Sequence, residues 1–162
     1  MELASFHISM TETELNQTVL QLQPEFPALH NLDIHFLDGH IMLTGKIKKF
    51  IAIPFHVKVS LLFMGSSLIF QFGEDSTAGK LTRSASRVLL NKITARLNPR
   101  IFRHSGSRVY VEVNELLKEL HIKSSCTIRR FEIQTKTLHL ELDGQVEINF
   151  QTLLTQQKSR SA

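Results

Sequence analysis

The sequence lacks tryptophan and has one tyrosine and one cysteine among its 162 residues. The single cysteine, Cys126, excludes an internal disulfide and a zinc site built from cysteines. Runs of apolar residues, such as Leu61 to Met64, are far shorter than the ~18 residues of a membrane-spanning helix. The chain opens at Met1 without a basic, apolar leader, so the expected location is the cytoplasm, at the membrane surface if the protein meets lipid.

Acidic residues are missing from the middle of the chain, with none between residues 76 and 111. Residues 1–38 carry six acids and no Lys or Arg, whereas residues 39–111 carry twelve Lys or Arg and two acids. A basic block of this kind favours phosphate-bearing partners, either anionic lipid headgroups or nucleic acid. The alternative is that the acidic N-terminal segment docks on the basic block, within one chain or between two chains.

An apolar alternation with a period of two predicts three or four consecutive antiparallel strands over residues 32–72, with one apolar face. Asp38–Gly39 and Asp143–Gly144 are both predicted to form two-residue hairpin turns. Gly45 lies on the apolar row, which predicts a sharp bend or the close approach of another group. Pro54 predicts a strand edge or a bulge, because proline has no backbone N–H to donate.

Capping signals predict the helices. Thr11 to Glu14 form a capping box that begins a helix over residues 12–23. Ser84 is predicted to cap a second, amphipathic helix that ends near Leu97, and Asn114 to cap a short third one. Apolar residues change phase between Ile128 and Phe131, which predicts a bulge or bend in a strand.

The order of these elements predicts an α+β fold with antiparallel pairing. Because two helices must cover at least six strands, we expect a strongly curved antiparallel β-sheet wrapped around one or two long α-helices. Residues 1–150 are expected to form one domain, and residues 151–162 a polar, disordered tail.

Three short stretches carry a family resemblance. They are residues 32–45, where a helix gives way to a hairpin, residues 109–117, a strand that runs into a leucine-rich helix, and the closing hairpin at 138–146. Together with the order of elements, they resemble the LmeA-like bacterial phospholipid-binding family, small relatives of the tubular lipid-binding (TULIP) modules. The resemblance implies an apolar groove that holds the acyl chains of a phospholipid or fatty acid. The family is mostly exported or membrane-anchored, whereas this chain shows no signal, and so short a unit would need a homodimer for a complete tunnel.

Catalytic and metal-binding signatures are missing from the sequence. No serine lies in a nucleophile elbow, and the eight histidines show no HExxH spacing or helical i, i+4 pair. Cys126 lies on the apolar row of a strand, which predicts a buried thiol and not a nucleophile. We therefore predict a protein that is not an enzyme, with no cofactor and no metal site.

The lipid-binding hypothesis assigns two sets of residues. The predicted groove consists of Phe36, Ile53, Phe55, Val57, Leu61, Phe70, Phe72, Leu89 and Ile93. The predicted headgroup surface consists of Lys46, Lys48, Lys49, Arg87, Arg96, Arg100 and Arg103. The plain alternative is that the phenylalanines fill an ordinary core. Two other functions stay open, a nucleic-acid-binding module that uses residues 80–108 and a structural subunit of an oligomer.

Overall fold

The computed structural model describes residues 2–48, 50–73, 90–91 and 94–148, with backbone alone for residues 2–4. This part of the chain is α+β with antiparallel pairing, as predicted. Its elements are β1 (Glu2–Thr11), α1 (Glu12–Leu22), a 3₁₀ turn (Gln23–Glu25), β2 (Leu29–Leu37), β3 (His40–Lys48), β4 (Ala52–Met64), β5 (Ser67–Gly73), β6 (Phe102–Ser105), β7 (Arg108–Glu112), α2 (Val113–Glu119), β8 (Ile122–Gln134) and β9 (Thr137–Ile148).

The described strands form two antiparallel sheets. The large sheet has the order β2-β3-β4-β5-β7-β6, and the small sheet has the order β1-β9-β8. Side chains of both sheets share the core, since Ile133 of β8 belongs to the same buried cluster as Phe36 and Val57 of the large sheet. Phe131 of β8 meets Phe70 of β5 edge to face, with ring centroids 5.5 Å apart. The small sheet therefore covers part of the apolar face of the large sheet.

The predicted wrapping of a strongly curved sheet around long helices does not appear in the described residues. Helix α1 has 11 residues, none of them buried, and α2 has 7 residues. Most of the predicted second helix, and the predicted tail, lie outside the described residues, although Leu90, Asn91 and Thr94 have helical backbone. Strand β1, which the sequence analysis missed, instead pairs with β9 and completes the small sheet.

Helix α1 begins where the capping box predicts. The hydroxyl of Thr11 accepts from the backbone N–H of Glu14 at 3.2 Å, and the Glu14 carboxylate accepts from the Thr11 N–H at 2.7 Å. The side chains of Leu15 and Val19 pack against the core, whereas Leu22, which follows on the same face of the helix, is 50% exposed. The helix thus covers the rim of the core.

The same helix also covers β2, the edge strand of the large sheet. The carboxylate of Glu12 accepts from the Phe36 N–H at 2.7 Å. The Asn16 side chain accepts from the Ile34 N–H at 2.9 Å and donates to the Ile34 carbonyl at 2.8 Å. These bonds occupy backbone groups that would otherwise be open to pairing with another strand.

One of the two predicted Asp-Gly turns is confirmed, and the other is wrong. Asp38–Gly39 joins β2 to β3, and Gly39 has a positive φ of 78°. Asp143–Gly144 instead lies inside β9, where Gly144 pairs with Cys126 and has a φ of 142°. The turn between β8 and β9 falls at Thr135–Lys136, whose φ angles of 52° and 55° suit a type I′ hairpin. Glycine is required at position 144 by the close approach of β8. A Cβ there would lie 2.8 Å from the Cys126 Cα and closer still to the Ser125 carbonyl oxygen.

Three other local predictions are confirmed. The pairing of β8 with β9 shifts register between Ile128 and Arg130, which is the predicted bulge. A Cβ on Gly45 would lie 2.8 Å from the ring of Phe55, so the missing side chain admits that ring. Pro54 pairs with Lys46 of β3. Because β4 pairs with β5 only from Lys58 onward in the described residues, β4 is an edge of the sheet at Pro54.

The predicted capping role of Asn114 is wrong. The N-cap of α2 is Glu112, which makes no side-chain cap hydrogen bond. The Asn114 side chain instead accepts from the Cys126 N–H at 2.9 Å and from the Ser124 hydroxyl at 2.8 Å, and it donates to the Cys126 carbonyl at 3.0 Å. Asn114 therefore joins α2 to strand β8, because a partner distant in sequence satisfies the amide better than its own helix does.

Candidate functional site

The tip of the hairpin between β3 and β4 presents large apolar side chains to solvent. Lys48 is the last residue of β3 to pair with β4, opposite Ala52, and Phe50 and Ile51 lie between these two residues in the chain. Phe50 is fully exposed, at 102%, Ile51 is 76% exposed and Ile53 is 39% exposed. We call Phe50, Ile51 and Ile53 the apolar tip. Ile53, a predicted groove residue, belongs to this tip and not to an interior cavity.

Basic side chains flank the apolar tip. Lys46 and Lys48 are exposed on either side of the buried Ile47, because successive residues of a strand face opposite sides of the sheet. Lys48 pairs with Ala52 directly below the tip, and Lys46 lies about 7 Å further down the strand. No acidic residue occurs between Asp38 and Glu74 in the sequence. The hairpin therefore combines an apolar end with a basic stem.

A cleft of about 290 Å³ opens beside the tip end of this hairpin. It is lined by Phe26, Pro27, Ala28, Leu29, Asn91, Ala95 and Arg96. The carbonyl of Ala28 accepts from the Lys48 N–H at 2.8 Å, which places the cleft beside the basic stem. The guanidinium of Arg96 donates to the Glu25 carbonyl at 2.7 Å, so its position is fixed. Arg96 is thus one predicted headgroup residue that the fold brings close to Lys48.

Other predicted headgroup residues lie elsewhere. Arg103 is on β6, four strand spacings or about 19 Å from β3. Its guanidinium contacts the Glu112 carboxylate at 3.2 Å and lies 5.5 Å from the centroid of the Tyr110 ring. Arg100 is exposed in the turn before β6. Lys49 and Arg87 lie outside the described residues, so the predicted surface is only partly assembled.

Most of the described groove residues lie in the core. Phe36, Phe55 and Val57 are 2%, 6% and 0% exposed and share one buried cluster. Leu61, Phe70 and Phe72 are partly buried and pack against that cluster. These contacts fit the alternative of an ordinary core, and an acyl groove among them stays a prediction. Leu89 and Ile93 lie outside the described residues.

The sequence analysis missed the apolar tip because it placed Phe50 inside the sheet. The usable signal was the succession of Phe50 and Ile51, which breaks the alternation of period two. A loop that follows three lysines within four residues and then carries two adjacent large apolar residues is typical of an exposed, amphipathic tip.

Glu112 and Cys126 are two of the four described groups with shifted pKa values, and the other two are Glu14 and Arg130. The Ser67 hydroxyl, helped by Ser66 and Arg103, lowers the pKa of the Glu112 carboxylate, although partial burial opposes the shift. Burial raises the pKa of the Cys126 thiol, which is 2% exposed, and this confirms the predicted buried thiol. Both groups have structural partners, and neither lies at the apolar tip.

The chain matches no protein-family model, no curated protein and no solved structure. Within the described ranges, no helix has both the length and the apolar character needed to cross a bilayer. The resemblance to the LmeA-like family therefore rests on the sequence stretches alone, and the hairpin geometry has to carry the functional argument.

Proposed function

We propose that this protein is a non-enzymatic, peripheral membrane-binding protein whose apolar tip inserts into the interface of an anionic bilayer. The observation that carries the proposal is the complete exposure of Phe50 at the end of the hairpin of β3 and β4. Exposing Phe50 and Ile51 to water gains nothing for folding, whereas aromatic and aliphatic side chains are favoured at the boundary between headgroups and acyl chains.

The charges beside the tip suit the same partner. Once Phe50 and Ile51 enter the interface, Lys46 and Lys48 lie at the depth of the lipid phosphates, and Arg96 lies next to them in the neighbouring cleft. Basic residues near an anionic surface contribute ~1 kcal/mol each. A basic face that is simply solvated would account for the lysines but not for the exposure of Phe50 beside them.

The expected affinity is modest. Transfer of one large apolar side chain from water contributes about 1.5–3 kcal/mol. Phe50 and Ile51 with two lysines therefore supply on the order of 5–8 kcal/mol, which corresponds to reversible binding between about 1 µM and 0.2 mM. A finer form of this proposal adds a groove in the protein, under a more strongly curved sheet, that holds the acyl chain of a phospholipid or fatty acid. The exposed tip supports membrane contact without such a groove.

The test is co-sedimentation of the full chain with vesicles of phosphatidylcholine that contain phosphatidylserine, and with vesicles of phosphatidylcholine alone. We expect binding to the anionic vesicles that weakens as salt is added, because screening reduces the lysine contribution. Phe50→Ser should weaken binding about 10- to 100-fold, whereas Lys46→Gln with Lys48→Gln should remove the preference for anionic vesicles. The control is Met64→Ser, which removes a 70% exposed side chain at the other end of β4 from Ile53.

Two outcomes would reject the proposal. One is wild-type protein that ignores anionic vesicles at low salt. The other is a folded Phe50→Ser variant that binds them as tightly as wild type does. Light scattering and gel shifts on the same samples distinguish the remaining functions, since an oligomer subunit would show Phe50-dependent association without lipid, and a nucleic-acid-binding module would shift nucleic acid.

A further inference from the structure

Two histidines meet on the small sheet, away from the apolar tip. His7 lies on the edge strand β1 and His139 on the neighbouring strand β9, where Ser9 pairs with His139. The Nε2 atom of His7 lies 2.9 Å from the Nδ1 atom of His139, and the rings are stacked with centroids 5.1 Å apart. Without a ligand, one of these nitrogens donates its proton to the other.

We propose that His7 and His139 form a two-histidine binding site for a late first-row transition metal ion, such as Cu²⁺, Ni²⁺ or Zn²⁺. Imidazole nitrogens bind these ions at about 2.0–2.1 Å. Two such bonds at a right angle place the nitrogens about 2.9 Å apart, and tetrahedral bonds place them about 3.3 Å apart. The observed separation of 2.9 Å is that of the hydrogen bond between the rings, and it is close enough to both values that rotation of the two rings would aim both nitrogens at one ion.

The strands hold the pair in place. The register between β1 and β9 is continuous from Ser5 to Thr11, so the backbone positions of both histidines are fixed by ladder hydrogen bonds. Little chain entropy is therefore lost when an ion binds, in contrast to two histidines on mobile loops.

Nearby carboxylates are already engaged. Glu141 lies opposite His7, and Glu132 lies opposite His139 on the other side of β9. Arg130 of β8 donates to Glu141 at 3.1 Å and also forms an ion pair with Glu132. Among the described residues, no group of three or more His, Cys, Asp or Glu is placed to hold an ion. The site thus has two protein ligands, and water completes the coordination.

Metal binding here would link β1 to β9, the first and the last strand of the described chain. His7 and His139 are 132 positions apart, and β1 is an edge strand with β9 as its partner in the small sheet. An ion that binds the folded chain stabilises it by mass action. We therefore expect the metal to raise the melting temperature as well as to bind.

The experiment is calorimetric titration of the full chain with CuCl₂, NiCl₂ or ZnCl₂ at neutral pH. We expect one ion per chain with micromolar affinity, a higher melting temperature, and a Cu²⁺ electron paramagnetic resonance spectrum with nitrogen coupling. His7→Gln and His139→Gln should each weaken binding by about tenfold or more, since a lost ligand is not replaced. The matched control is His104→Gln, an exposed histidine on β6 in the other sheet, and it should bind as wild type does.

A pH series on the unmutated chain keeps the proposal testable if a variant fails to fold. Binding should weaken as the pH falls, because protonated imidazole cannot ligate a metal, and the charged groups beside the pair are Glu141, Glu132 and Arg130. Absence of binding to all three ions would overturn the proposal, and so would binding that is unchanged in a folded His7→Gln variant.

Discussion

Replacement of Gly144 by alanine distinguishes the strand that the structure shows from the hairpin that the sequence predicts. Gly144 lies in the middle strand of the small sheet with a φ of 142°, and an added Cβ would press on the Ser125 carbonyl oxygen and the Cys126 Cα. The unfavourable backbone conformation costs about 1–2 kcal/mol, and forcing the two strands apart costs about 2–3 kcal/mol more. We therefore expect Gly144→Ala to lower the free energy of unfolding by about 3–5 kcal/mol.

The matched control is Gly39→Ala, because Gly39 occupies a true turn. Its φ of 78° is also unfavourable for alanine, but a Cβ there would meet no atom within 4 Å. The expected cost is thus about 1–2 kcal/mol, from the backbone alone. In a chain of this length the difference of about 2–3 kcal/mol corresponds to roughly 5–10 °C in melting temperature.

Urea denaturation followed by circular dichroism measures both variants against wild type. If Gly144→Ala unfolds within about 0.5 kcal/mol of Gly39→Ala, Gly144 does not lie between two closely paired strands, and the continuous β9 is wrong. A Gly144→Ala variant without any folded baseline would set a lower limit on the cost, in the expected direction.

Two further predictions concern buried polar groups. Asn114→Ala should lower the free energy of unfolding by about 2–3 kcal/mol, measured by urea denaturation, because it leaves both backbone groups of Cys126 without a partner; a loss below about 0.5 kcal/mol would contradict this role. The pKa of Glu112 is lower in the folded chain than its ordinary value of 4.5, so its ionised form stabilises the fold above about pH 4.5 and that stability is lost as the pH falls. Glu112→Gln should flatten the acid limb of a stability-against-pH curve, and an unchanged limb would show that Glu112 does not contribute to it.

Local interactions account for what could be predicted of the fold and the site. The capping box at Thr11, the Asp38–Gly39 turn and the bulge near Arg130 each depend on a few residues close in sequence. Lys46 and Lys48 could also be placed on an exposed face, because the alternation with Ile47 leaves them no other side of the strand. The preference for a phosphate-bearing partner was predicted from the charge of the chain without any use of the fold, and it stays a prediction.

The sequence by itself determined that this chain is an antiparallel α+β protein with a basic middle, whereas the long helices that it predicted do not appear among the described residues. The tertiary structure decided that Gly144 continues a strand, that Asn114 reaches Cys126, and that Phe50 has no core to enter. Each of these outcomes depends on which distant strands pair, as when β1 adds to β9 and brings His7 to His139. Such pairings are chosen by the packing of the whole core, and no short window of residues records that choice.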